Sequence, residues 1–227
     1  MSSGRNLPSW MVQVSKKEPQ NKQSDSTNTA SEEKKYCGSS LPFLKFPGEG
    51  IYTYHSDECN THCKDILDRS LQKPMVIGFD IEWKVSYAQG VYHKTAIIQL
   101  CIDETKCYVF HLTHMTSFPI LLKEVLTNEK IKKVGLGIKG DVQRLLTDYH
   151  IETRSFQDIG SIANEIKKTG DNWSLNGLVM NKLEHQLSKD PKVRCSNWEN
   201  VPLSKEQLDY AVLDAYAGWK VYHKLLE

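Results

Sequence analysis

Hydrophobic and polar positions in this chain follow two periods, two and roughly three and a half, and which one applies changes with position. A run of Ile and aromatic residues at 51–54 reads as a short strand, and 57–71 carries the three- and four-residue spacing of a helix. Residues 75–83 alternate, with Ile77, Phe79, Ile81 and Trp83 on one side and Gly78, Asp80 and Glu82 on the other, so a strand is expected there. Two further strands, 94–102 and 106–112, are separated by Asp103, Glu104 and Thr105, a connection short enough to require a hairpin. Afterwards the periods alternate. Helices are expected at 118–126, 141–149, 159–168, 174–187 and 204–226, and strands at 132–137 and near Phe156. Strands that are first hairpinned and then separated by helices predict an α/β fold, a mixed sheet flanked by helices. The last helix has Ser204 as N-cap and Gln207 at its third position, a capping-box pattern. Small residues at Ala211, Ala215, Ala217 and Gly218 would let it approach the sheet closely.

Ahead of these elements, residues 15–40 contain Ser, Lys, Glu, Gln, Asn and Thr with almost nothing apolar, so burial there would not offset the entropy of ordering. The reading is a disordered tail over 1–40 and one domain over 41–227; Trp10, Met11, Val12 and Val14 interrupt the polar tail. The formal net charge of +1 gives no global attraction to a polyanion, so any affinity for nucleic acid must be local. Of the six cysteines, Cys101 and Cys107 lie in apolar strands, which favours free thiols in a reducing compartment. No apolar run has the length of a membrane span, and the first residues lack the hydrophobic core of a signal peptide, so a cytosolic or nuclear protein is expected.

The chemistry concentrates in three places. Asp80 and Glu82 point to one face of their strand, Asp141 opens a helix in GIKGDVQRL, and Tyr210 and Asp214 share a helical face four residues apart. Carboxylates gathered together repel unless divalent cations lie between them, and hard oxygen ligands suit Mg²⁺ or Mn²⁺. An isolated acid pair on a strand is ordinarily just a solvated face; the three motifs in order are what argue for a site. Two decoys compete. Gly135, Gly137 and Gly140 form a literal G-x-G-x-x-G with Asp158 near the acidic position of a dinucleotide fingerprint. It follows a hairpin meander, however, and Asp141 stands where a pyrophosphate would sit. His55, Cys59, His62 and Cys63 have helical zinc-ligand spacing, but no second Cys/His pair follows.

These blocks resemble the DEDD superfamily of 3′→5′ exonucleases, in the branch whose third motif has Tyr four residues before the last Asp. The segments IIQLCI, KCYVFHL, WSLNGLV and RCSNWENVPLSKEQLDYAVLDAYAGWKVY look like exonuclease domains of the Werner type, and the likeness runs from about Leu41 to the end. The resemblance implies a ribonuclease H-like sheet and two Mg²⁺ or Mn²⁺ ions. Asp80 would bridge both ions, Glu82 and Asp214 would hold one, Asp141 would support the other, and Tyr210 would orient the attacking water. It further implies release of 5′-nucleoside monophosphates from a recessed or frayed 3′ end of duplex DNA, in repair, replication or recombination within the nucleus. Partners would be a helicase domain in a longer chain or other repair proteins. RNA is the competing substrate, since ribonuclease D-type relatives share the five residues; a non-catalytic docking module is the reading from another class. Candidate substrate contacts are Trp83, Lys84, His93, Lys94, Arg144 and Arg194. Val142 and Gln143 stand where the family pattern has an aromatic, which leaves stacking there in doubt. No G-x-x-x-x-G-K-[ST] loop is present, so this chain does not itself carry the helicase.

Overall fold

A computed structural model of the chain describes residues 41–188 and 190–227; the expected tail over 1–40 lies outside them. Strands β1 (Glu49–Thr53), β2 (Met75–Trp83), β3 (Thr95–Cys101), β4 (Lys106–His111), β5 (Ile131–Gly135) and β6 (Phe156–Asp158) form one sheet in the order β1-β4-β3-β2-β5-β6. The hairpin meander β2-β3-β4 is antiparallel, while β1 joins β4, β5 joins β2 and β6 joins β5 in parallel. Antiparallel pairing therefore gives way to parallel at β2 on one side of the meander and at β4 on the other.

Helices cover both faces. On one lie α1 (Ser56–Gln72), α2 (Ile120–Thr127) and α3 (Ile138–Tyr149), packed on Ile77, Phe79, Ile81, Ile98, Leu100, Tyr108 and Phe110. On the other lie α4 (Ile159–Lys167), α5 (Leu175–Leu183) and the long α7 (Lys205–Leu226), packed on Ile97, Cys101, Cys107, Val109 and Val134. The alternation read from β2 is thus the partition between two apolar clusters, with Asp80 and Glu82 turned toward α7. Cys59 and Cys63 are buried in the α1 cluster and His62 packs against the Tyr108 ring, so the suspected zinc quartet is core and surface of one helix.

α7 begins as its sequence predicts. Ser204 Oγ accepts the Gln207 N–H, and the Gln207 side-chain oxygen accepts the Ser204 N–H. Gln207 then donates to Ser196 Oγ at 2.8 Å, tying the helix start to the preceding segment. The close approach to the sheet occurs at Gly78, where an added Cβ would lie 2.0 Å from the Ala215 carbonyl oxygen.

Some boundaries differ from expectation. α3 starts at Ile138, three residues before Asp141, so Asp141 sits within its first turn rather than opening it. Gly137, at φ +73°, makes the left-handed entry. α5 stops at Leu183, with Glu184 left-handed, and a short helix α6 (Pro191–Arg194) follows where none was expected. Among the described residues no helix is long and apolar enough to cross a membrane.

Candidate active site

β2 carries Asp80 and Glu82 to the α7 side, and α7 presents Asp214 against them. One carboxylate oxygen from each of the three lies within 4.8 Å of the others. Asp141 approaches from α3: its charge raises the pKa of both Asp80 and Glu82, but it stands outside that tight trio. The Tyr210 hydroxyl donates to Asp214, one turn further along α7. The five residues come from three elements separated in sequence and meet at one end of β2.

Their electrostatics follow from crowding in a buried place. Burial, then Glu82, Asp141 and Asp214, hold the Asp80 carboxyl well above the usual range. Glu82 is pushed up to about 8, first by burial and then by Asp214, against the opposing pull of Arg194. Asp141 rises to about 7 through burial and the neighbouring Asp158, and Asp214 to about 6 through burial, eased by Tyr210 and Arg194. Burial and Asp214 raise the Tyr210 phenol as well. Protein atoms alone leave this cluster short of positive charge. An all-oxygen donor set with mutually raised pKa values fits hard divalent cations, and Asp80, Glu82 and Asp214 are the residues placed to hold one.

The expected substrate contacts divide. Arg144 is 3.9 Å from the Trp83 ring centroid and 4.9 Å from that of Tyr92, and it donates to the His93 carbonyl. Its guanidinium thus fastens the loop after β2 to α3, with Trp83 in the same stack. Lys84 and His93 both reach Glu199, at 3.5 and 2.8 Å. Lys94 is exposed, its ammonium 5.6 Å from the Tyr149 ring. Arg194, exposed on α6, acts on Glu82 and Asp214, while Arg144 acts on Asp141.

Two supporting residues escaped the sequence reading. Asp148, its side chain fully buried, accepts from Thr95 N at 2.7 Å, Thr95 Oγ1 at 2.8 Å and the Tyr92 hydroxyl, so it anchors both ends of the loop's return to β3. Its only signal was the i,i+4 spacing from Arg144. Glu199 lies 106 residues from His93, and nothing local announced their pairing. The glycine-rich decoy also resolves: the Gly137 N–H is taken by Asp158 at 2.6 Å, and Asp158 caps α4 through Ser161 N at 3.0 Å. A carboxylate already occupies the place a pyrophosphate would need.

A mixed sheet with this order, helices on both faces and an acidic cluster at the end of β2 defines a nuclease of the ribonuclease H-like DEDD fold. Residues 54–227 match the 3′-5′ exonuclease family, and the chain belongs to it. Over 221 residues it is 43% identical to the mouse bifunctional 3′-5′ exonuclease/ATP-dependent helicase WRN, covering 97% of this chain and 15% of that protein. It is also 34% identical over 192 residues to a 3′-5′ exonuclease of Arabidopsis thaliana, covering 82% of this chain and 66% of the plant protein. The chain thus spans less than two thirds of either relative. The fold is shared with the EXO domain of Aedes aegypti Nibbler, with a TM-score of 0.64 at 20% identity over 78% of this chain and 86% of that one. It is shared too with the catalytic core of RRP6 from Trypanosoma brucei, with a TM-score of 0.65 at 20% identity over 81% and 48%.

Proposed function

We propose that this chain hydrolyses DNA from the 3′ end, releasing 5′-nucleoside monophosphates, with Asp80, Glu82, Asp141 and Asp214 as cation ligands and Tyr210 as the residue that orients water. The observation that carries this reading is the convergence of three carboxylates within 4.8 Å beside a phenol that donates to one of them. Bound Mg²⁺ or Mn²⁺ supplies Lewis-acid stabilisation of the phosphoryl and leaving oxygens and acidifies water. The protein's part is positional. Tyr210, its phenol raised above the ordinary value, stays protonated at neutral pH and serves as a hydrogen-bonding guide to the water, not as its base. In the reaction a bond forms from the water oxygen to phosphorus, and the bond to the 3′-oxygen of the next nucleotide breaks. Arg194, facing the carboxylates and exposed, is suited to a phosphate oxygen, and Lys94 to the backbone of the entering strand. Residues 41–227 would act as one domain.

A recessed or frayed duplex end is the substrate we favour, because the mouse relative joins its exonuclease to an ATP-dependent helicase and such a pairing works where strands separate. A helicase domain in a longer chain or another repair protein, and a nuclear location, belong to the same proposal. The test is product analysis on 5′-labelled, 3′-recessed DNA and RNA–DNA duplexes with Mg²⁺, Mn²⁺ or chelator, alongside Asp80→Ala. A ladder shortening from the DNA 3′ end, lost in chelator and in the variant, is expected. A ladder on RNA alone would move the substrate to the ribonuclease class, and no ladder from folded, metal-supplied protein would leave a docking module.

A further inference from the structure

Gln99 lies in the middle of β3, fully buried, and both polar atoms of its side-chain amide lack a hydrogen-bond partner. Buried amides in native proteins are paired, so a residue with neither its donor nor its acceptor engaged calls for a cause. Its position supplies one. Across the β2–β3 ladder Gln99 is directly opposite Asp80, and residues opposite each other in an antiparallel pair project from the same face with Cβ atoms about 4.5–5.5 Å apart. On its other side it faces Val109, and along its own strand it is flanked on that face by Ile97 and Cys101, all members of the apolar cluster beneath α7. The diagonal neighbour His111 takes up the Tyr52 hydroxyl with Nδ1 at 2.8 Å, and its Nε2 is also without a hydrogen-bond partner. Asp80 is the polar residue directly opposite in register, whereas His111 is reached only on the diagonal.

The geometry points to Gln99 as the positioning residue for Asp80: with a cation bound, its amide N–H, unpaired in this structure, would donate to an Asp80 carboxylate oxygen and fix the carboxylate's rotation. An aspartate at the end of two single bonds can turn either oxygen toward an ion, and a donor fixed in the neighbouring strand selects one orientation. The inference rests on the proposed role of Asp80 as a cation ligand. It explains why an apolar face beneath a helix of alanines holds one amide, where leucine would pack without orphaned groups.

Mn²⁺ binding without substrate, followed by electron paramagnetic resonance of the free ion, tests this for wild type, Asp80→Ala, Gln99→Leu and Gln99→Met, with unfolding of each measured in chelator. Both Gln99 variants are expected to melt at or above the wild-type temperature in chelator, because a buried orphan amide is gone, yet to bind Mn²⁺ about 10–100-fold more weakly. Wild-type Mn²⁺ affinity in either folded variant overturns the inference, and if Gln99→Leu does not fold, Gln99→Met decides. Absence of Mn²⁺ binding by wild type, or its persistence in Asp80→Ala, removes the cation-ligand reading itself and is distinguishable from a failure confined to Gln99.

Discussion

A methyl group added at Gly78 should separate the two halves of the acidic cluster. The new Cβ would lie 2.0 Å from the Ala215 carbonyl oxygen, 3.0 Å from its carbon and 2.9 Å from Trp219 Cβ. Carbon–oxygen contacts settle near about 3.3 Å, so α7 must withdraw from β2 by more than about 1 Å. Gly78 shares the sheet face of Asp80 and Ala215 directly follows Asp214, so the withdrawal acts on the Asp80–Asp214 separation itself. Overpacking of this kind costs about 1–3 kcal/mol, which in a domain of this size lowers the melting temperature by about 2–12 °C. A misplacement of about 1 Å in a catalytic constellation is worth about 100-fold in rate. Gly218→Ala is the control. On the same helix its Cβ would meet the Val134 carbonyl oxygen at 3.5 Å and Gly135 Cα at 3.6 Å, ordinary contacts, and replacing a helical glycine should gain about 0.5–1 kcal/mol. Thermal melts and single-turnover nucleotide release from a 3′-recessed duplex at saturating Mg²⁺ would be compared. Wild-type rate and melting temperature in Gly78→Ala, or equal damage from Gly218→Ala, would refute the claim that close approach at this point builds the site.

Metal-free protein should lose stability as pH rises. Glu82, Asp141 and Asp214 have folded pKa values of about 8, 7 and 6, above their ordinary ones, so their contribution is complete below about pH 4 and disappears as pH climbs through that range. Melting curves in chelator should therefore fall between about pH 5 and 7 and flatten with Mg²⁺; a curve rising over that interval would contradict the clustering. Lys133 shows the opposite case: its pKa is lowered by burial to about 7, although Nζ donates to the carbonyls of Ile131 and Asn128. The unfolded chain binds this proton more tightly, so stability rises from about pH 7 to 10, and Lys133→Met should add on the order of 1 kcal/mol at pH 7, with the gain shrinking toward pH 10. The two arginines separate by salt dependence. Arg194→Ala should reduce the slope of log affinity against log salt by about 0.7–0.9 at unchanged stability, while Arg144→Ala should cost about 1–2 kcal/mol of stability and leave the slope alone, both read from equilibrium binding to a labelled duplex.

Much of this was legible because it is local. Alternation in β2 assigned Asp80 and Glu82 to one face, the three- and four-residue spacing of α7 aligned Tyr210 with Asp214, and the capping box at Ser204 appears where its pattern predicts. That these elements would converge came from the order of the motifs and their resemblance to a family, since no local pattern specifies that α7 crosses β2 at Gly78. Arg144 is the instructive case. One turn after Asp141, a lone arginine reads equally as a phosphate contact or a surface ion pair, and only the folded loop reveals two aromatic rings and a carbonyl waiting for it. Glu199 was illegible for the same reason: its partners His93 and Lys84 are distant in sequence, and a lone glutamate carries no mark of what it will face.

The place of α7 in the chain has a consequence for biosynthesis. Every strand precedes it, β6 ending at Asp158 and α7 beginning at Lys205. A ribosome adding about 5–20 residues per second leaves the apolar sheet face of Ile97, Cys101, Cys107 and Val109 without this helix for several seconds. During that interval the nascent chain is at its most aggregation-prone and holds Asp80 and Glu82 without Asp214. If Asp214 is a cation ligand as proposed, the chain gains its cation site and covers that apolar face in one event, the docking of a single helix.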